Sequence, residues 1–156
     1  MRRCVILALI AAISCAEQGS SFQAATRVIY AFGDASVEPQ YHRSYIIEAT
    51  SDSVHVVVDS YGDVLADTTM SLDDGRFQRL LDELEGAGLH KVARTGQEGC
   101  SGGTTEELVV LQGEESLFSG RAYHCGGYTY GTIGGDLSAA SAAVKELVPN
   151  LCVLTE

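Results

Sequence analysis

Between residues 26 and 70 apolar side chains recur at every second position in short runs, each broken by turn residues. A period of two places one set of side chains on a single face of an extended strand, and that face must be buried. Residues 26–32 form a first such run, closed by Gly33-Asp34, and residues 35–41, with Pro39, read as a loop. Residues 44–50 put Tyr45, Ile47 and Ala49 on one face, and Val54, Val56 and Val58 alternate with His55, Val57 and Asp59. Tyr61-Gly62-Asp63 carries a second turn signal, with Gly62-Asp63 expected as the two-residue loop, and residues 64–70 return as a further strand. Four runs with short connections predict an antiparallel meander.

The period then changes. Phe77, Leu80, Leu81 and Leu84 fall at helical spacing, while Arg76, Arg79, Asp82, Glu83 and Glu85 fill the opposite side. This predicts an amphipathic helix over 72–85, with Ser71 as its N-cap, Asp73 and Asp74 in its first turn, and Gly86 or Gly88 at its end. Residues 89–93 suggest a short strand. Residues 106–112 and 116–125 suggest a second hairpin around Gly113-Glu114, in which Val110 would face Leu117 and Glu106 would face Arg121. Residues 138–148 read as a closing helix with Ala142, Val144, Leu147 and Val148 as its buried side. The expected architecture is α+β, an antiparallel sheet of meander plus second hairpin with two helices packed on one face.

Ahead of this lies a different kind of segment. Arg2-Arg3 precede a short apolar run that ends in Ala12-Ile13-Ser14-Cys15, too short for a permanent bilayer span. The four residues resemble the lipobox of bacterial lipoproteins, with Ala12 where Leu is commonest. The resemblance implies cleavage before Cys15 and a diacylglyceryl thioether on its sulfur, which would anchor the chain to a membrane. It places the protein in the cell envelope: the outer membrane facing the periplasm in a diderm cell, or the outer face of the plasma membrane in a monoderm. Ser14-Cys15-Ala16 also satisfies the small-x-small rule of ordinary secretion, so a soluble product starting at Glu17 is the alternative. The organisation expected is a signal at 1–14, a flexible tether at 15–25 and one domain at 26–156.

Charge limits the partners. The chain carries 10 basic and 21 acidic residues, and loss of Arg2 and Arg3 leaves 8 against 21, a net charge of −13. Such a surface repels phosphate backbones and anionic headgroups, which argues against nucleic acid and favours a basic protein if a macromolecule is bound. A net negative charge also keeps an exported monomer soluble.

Export permits disulfides, and Cys100, Cys125 and Cys152 remain once Cys4 and Cys15 are set aside. The hairpin register brings Cys125 towards Cys100, and such a bridge would contribute about 3 kcal/mol. Pairing of Cys125 with Cys152, or three reduced thiols, are the alternatives, and Cys152 is expected to be a buried thiol. Glycine-rich stretches at 96–103 and 126–135 read as loops that would gather Ser101, Tyr128 and Tyr130 into an adaptable binding surface.

His42, His55, His90 and His124 show no metal-ligand spacing, and no motif selects a nucleophile, a general base or a cofactor. No catalytic residue, metal or cofactor is assigned. Ser119-Gly120-Arg121-Ala122-Tyr123 is loosely similar to a stretch in one family of lysozyme-inhibiting lipoproteins, although that family is an all-β barrel with no place for a helix at 72–85. The functional expectation is a lipid-anchored envelope protein with a non-catalytic binding or structural role. An inhibitor or immunity-type protein that captures a basic hydrolase such as lysozyme, and an exported hydrolase, are its rivals.

Overall fold

The computed structural model describes residues 21–95 and 102–156; the expected export signal at 1–14, Cys15, Cys100 and Ser101 lie outside the described residues. Strands β1 (Arg27–Gly33), β2 (Ser44–Ala49), β3 (Ser53–Ser60) and β4 (Asp63–Ser71) run as a meander into helix α1 (Arg76–Gly86). After α1 come β5 (His90–Thr95), β6 (Thr104–Gln112), β7 (Glu115–Cys125) and β8 (Tyr128–Gly134), then α2 (Leu137–Glu146) and the short α3 (Leu151–Leu154). All strands join one antiparallel sheet in the order β4-β3-β2-β1-β6-β7-β8-β5. β1 is central because it pairs with β2 on one side and β6 on the other, while β5 enters at the far edge beside β8.

The alternation sorts the two faces as the sequence predicts. Val28, Tyr30, Tyr45, Ile47, Val54, Val56, Val58, Leu108 and Val110 are buried on one face. Phe77, Leu80, Leu81 and Leu84 of α1, Ala140 and Val144 of α2, and Leu147 and Val148 directly after α2 complete the same core. Full burial of one such large aliphatic side chain contributes roughly 1.5–3 kcal/mol, so the α1 stripe alone is a major share of the stability. The α+β class with helices on one face of an antiparallel sheet is therefore observed.

Several local expectations change. Ser71 ends β4 instead of capping α1; the helix starts after Gly75, which takes φ 78° and offers no side-chain cap, and the Arg76 N–H bonds the Asp73 carbonyl in the turn before it. Ladder pairing with β3 extends to Ser53 opposite Ser71 and so claims the residue. In α2, Ala142 faces solvent, and Ala140, Ser141 and Ala143 take the buried side. Residues 21–25 are docked on α1. Phe22 is buried against Phe118 at 5.9 Å between ring centroids, and Glu85 accepts from the Ser21 hydroxyl at 2.6 Å and the Phe22 N–H at 2.8 Å. The domain thus reaches back to Ser21, five residues into the stretch expected as tether.

Both predicted hairpins form, each with one residue more than simple pairing allows. In β6–β7 the register slips between Val110 and Leu111, leaving Leu117 as the extra residue, so that Val110 faces Phe118, Glu107 faces Arg121 and Glu106 faces Ala122. In β3–β4 the slip lies between Val58 and Asp59, and Leu65 is the extra residue. The connecting pair there is Tyr61-Gly62, with φ of 53° and 94°, rather than Gly62-Asp63. Two positive φ values match the right-handed twist of the flanking strands.

Candidate functional site

Loop 34–43 and the turns at Tyr61-Gly62 and Gly126-Gly127 all lie at one end of the sheet, because β1, β3 and β7 end there. Two groups of functional side chains collect at that end. The first lies on the helix-covered face. Tyr30, Glu106 and His124 come from β1, β6 and β7, and the slipped register sets Thr104 opposite His124 and so brings Glu106 next to it on the same face. The Tyr30 hydroxyl donates to Glu106 Oε2 at 2.7 Å. His124 Nε2 lies 2.9 Å from Glu106 Oε1, off the line a hydrogen bond requires. His124 Nδ1 meets the Thr129 hydroxyl of β8 at 3.0 Å.

Two further groups close this cluster. The Tyr45 ring lies 6.2 Å from that of Tyr30 and 5.1 Å from that of Phe32, and Lys145 Nζ of α2 stands 5.3 Å above the Tyr30 ring. Burial first, and then the Glu106 hydrogen bond and charge, raise the Tyr30 phenol well above the ordinary tyrosine range. Burial and the Glu106 charge push Tyr45 up to about 12. Both phenols therefore stay neutral at any physiological pH. A carboxylate so surrounded is held in place by its neighbours, and a buried carboxylate without such partners would be costly.

The second group is the β3–β4 tip with the loop against it. The Tyr61 ring stacks on His42 at 3.9 Å, and its hydroxyl donates to the Val37 carbonyl at 2.6 Å. The Ser60 hydroxyl donates to the Pro39 carbonyl at 2.7 Å. Asp34 gathers the ends of the loop, its carboxylate accepting from the N–H groups of Ala35 at 2.7 Å and Arg43 at 2.8 Å. His42 is 6% exposed; its Nε2 lies 3.4 Å from the Ser44 hydroxyl, and its Nδ1 is buried with no hydrogen-bond partner among the described residues. Around this frame Tyr41, Tyr61, Val64 and Leu65 are at least half exposed and Val37 is 40% exposed.

No family model, curated protein or solved structure matches this chain. The site is therefore read from its own geometry.

Of the residues singled out in the sequence, Tyr128 and Tyr130 lie on β8 with rings stacked at 6.3 Å, and Tyr128 is 68% exposed. They belong to a strand, not to a glycine-rich loop. The expected loop at 126–135 reduces to the turn Gly126-Gly127 and to Gly135 after the strand, while Gly131 and Gly134 lie in β8, where neighbours approach closely: a Cβ on Gly131 would overlap the Arg121 carbonyl oxygen, and one on Gly134 would overlap the His90 ring. Ser101, the third member of the expected surface, and Cys15, the expected acylation site, lie outside the described residues. Cys125 is disulfide-bonded to a residue outside them, where the expected partner Cys100 also falls. Cys152 is a free thiol, which removes the Cys125–Cys152 pairing, and it is exposed on α3 rather than buried.

Neither the Glu106–His124 contact nor the tip was legible in the sequence. The first depends on a bulge at Leu117 that carries no composition signal. A trace of the second was present in Tyr61 directly before Gly62, a bulky residue at a turn position that requires positive φ.

Proposed function

We propose that this protein is a lipid-anchored domain of the bacterial cell envelope, tethered through Cys15, with a non-catalytic binding role towards a basic protein. One observation carries the binding role. Five of the eight large apolar side chains exposed among the described residues, Val37, Tyr41, Tyr61, Val64 and Leu65, stand together on the β3–β4 tip and the loop tied to it. Exposed apolar groups scattered over a surface need no explanation, whereas a gathering of them marks a contact site. The lipobox-like Ala12-Ile13-Ser14-Cys15 supports the anchor, and the net charge of −13 after signal removal supports a basic partner. An envelope hydrolase of basic charge, lysozyme included, is one partner of that description.

The anchor is tested by growing cells with an alkyne fatty acid. The wild-type chain takes up the label and fractionates with membranes, and Cys15→Ala abolishes the label. An unmodified polypeptide starting at Glu17 in the soluble fraction overturns the anchor. The binding role is tested by photo-crosslinking in intact cells from Val64, from Tyr128 and from Ile46, an exposed residue of β2, in turn, and absence of any crosslinked protein from all three overturns it.

A second reading, an exported hydrolase, draws on the chain Thr129–His124–Glu106, in which an imidazole lies between a hydroxyl and a carboxylate. Hydrolysis of an activated ester that disappears in both Thr129→Ala and His124→Ala would establish it.

A further inference from the structure

We infer that the β3–β4 tip and loop 34–43 form a preorganised docking surface for a basic segment of a partner protein, one carrying arginine or lysine beside an apolar residue. This deepens the binding role proposed above and rests on it. Three properties of the surface point to such an occupant.

The first is strain held in place. Tyr61 is the only non-glycine residue with positive φ among the described residues, a conformation that brings an ordinary Cβ close to the following carbonyl oxygen. It persists because the His42 stack and the hydrogen bond to Val37 hold the ring flat across the loop. One face of the ring rests on His42, and the residue stays 56% exposed. A side chain fixed at a conformational cost and then left open to solvent is placed for contact.

The second is rigidity. Ser60 to Pro39, Tyr61 to Val37, the Arg43 N–H to Asp34 and the Gly62 N–H to Asp59 Oδ1 at 2.9 Å tie tip and loop into one unit. The β3–β4 bulge turns Leu65 out of the pleat beside Val64. Little ordering entropy remains to be lost when a partner binds.

The third is charge. Glu38 of the loop, Asp59 at the end of β3 and Asp63 at the start of β4 share this tip with the apolar side chains, and among the described residues no ion pair engages any of them. Arg43, the one cationic residue of loop 34–43, spends its guanidinium on the backbone oxygens of His42 at 2.8 Å and Glu156 at 3.1 Å. Open tyrosine faces within an acidic rim suit a guanidinium or ammonium group, which gains both the ring quadrupole and the carboxylates. The same rim repels anionic lipid, which sets a protein segment above a membrane surface as occupant.

The chain contains no tryptophan, so Val64→Trp in the full lipidated protein gives a single reporter inside the patch. An (Arg-Leu)4 peptide is titrated against it in neutral detergent micelles, and a (Glu-Leu)4 peptide serves as the opposite-charge control. A saturable change with the basic peptide only is expected. Tyr41→Ser with Leu65→Ser, and separately Glu38→Gln with Asp63→Asn, weaken it about tenfold or more. Asp73→Asn with Asp74→Asn removes the same charge from an exposed turn away from the tip, and changes affinity less than about twofold.

Equal loss from the two charge-removal pairs would mean diffuse attraction and would overturn the proposal. So would binding of the acidic peptide, or quenching of the introduced indole by brominated lipid in phosphatidylglycerol vesicles without peptide, which would make the tip a lipid contact. Circular dichroism of each variant separates lost binding from lost folding. If the peptide fails while crosslinking from Ile46 or Tyr128 captures an envelope protein, this surface is wrong and the wider binding role stands.

Discussion

The Tyr30–Glu106–His124 cluster and the Tyr61 tip lie at the same end of the same sheet and are built from the same residue types, yet their groups point in opposite directions. In the cluster, Tyr30 is fully buried and its hydroxyl is committed to Glu106, which also lies against His124. At the tip, Tyr61 commits its hydroxyl and one ring face to the loop and leaves the rest in solvent. The cluster turns polar atoms inward to satisfy one carboxylate, and the tip turns apolar surface outward. A tyrosine of the first kind contributes to stability; one of the second kind is available to a partner.

If that contrast holds, replacing Tyr30 by Ala lowers unfolding free energy by about 3–5 kcal/mol, as expected when a large aromatic leaves a core. Tyr30→Phe keeps the packing but removes one donor from Glu106, at about 1–3 kcal/mol. Guanidinium titrations with an unchanged slope measure both. Losses under about 0.5 kcal/mol would mean that the cluster is as dispensable to the fold as the surface.

The next largest effect is a pH dependence. Tyr45 titrates at about 12 when folded, against about 10 in an unfolded chain. A raised folded value means that the native state holds its proton more tightly. Its stabilisation is complete below about 10 and is lost as pH rises towards 12. Melting temperature should therefore fall over that alkaline window, and Tyr45→Phe should flatten the fall. A slope unchanged in Tyr45→Phe would break the assignment.

The tip should behave otherwise. Tyr41→Ser with Leu65→Ser changes stability by no more than about 0.5 kcal/mol per site, because both side chains are at least half exposed. A loss there as large as that of Tyr30→Phe would erase the distinction between the two regions. The smallest effect belongs to the N-terminal dock. The Ser21 hydroxyl, then Gln23, lower the titration of the exposed Glu85. The resulting stabilisation is present above the ordinary glutamate value and is lost as pH falls through the folded one. Ser21→Ala should slightly flatten the acid limb of a melting curve followed from about pH 6 to pH 3.

How much of this was legible follows from the range of the interactions. The strands over 26–70 and the α1 stripe of Phe77, Leu80, Leu81 and Leu84 show in the sequence because periodicity is a property of near neighbours. The start of α1 does not show, because ladder pairing claims Ser71, a choice made by β3 at Ser53, well earlier in the chain. The strand β8 reads as a loop in the sequence because its glycines resemble turn residues until the crowding at Arg121 and His90 is seen. Of the expected binding surface, Tyr128 and Tyr130 are neighbours on β8, whereas the apolar tip, far earlier in the chain, lies several strands away and meets loop 34–43 only once the sheet is assembled.

By itself the amino-acid sequence determined which residues of the meander are extended, which of α1 are helical and which face is apolar, and it supplied the acidic balance and the lipobox-like resemblance at Cys15. Those are matters of composition and of spacing within a few residues. Tertiary structure alone decided the strand order with β1 at the centre, the slipped registers at Leu65 and Leu117, and hence which ionisable groups meet. A one-residue bulge changes every cross-strand pairing beyond it while leaving the local pattern untouched, so only the assembled sheet reveals it.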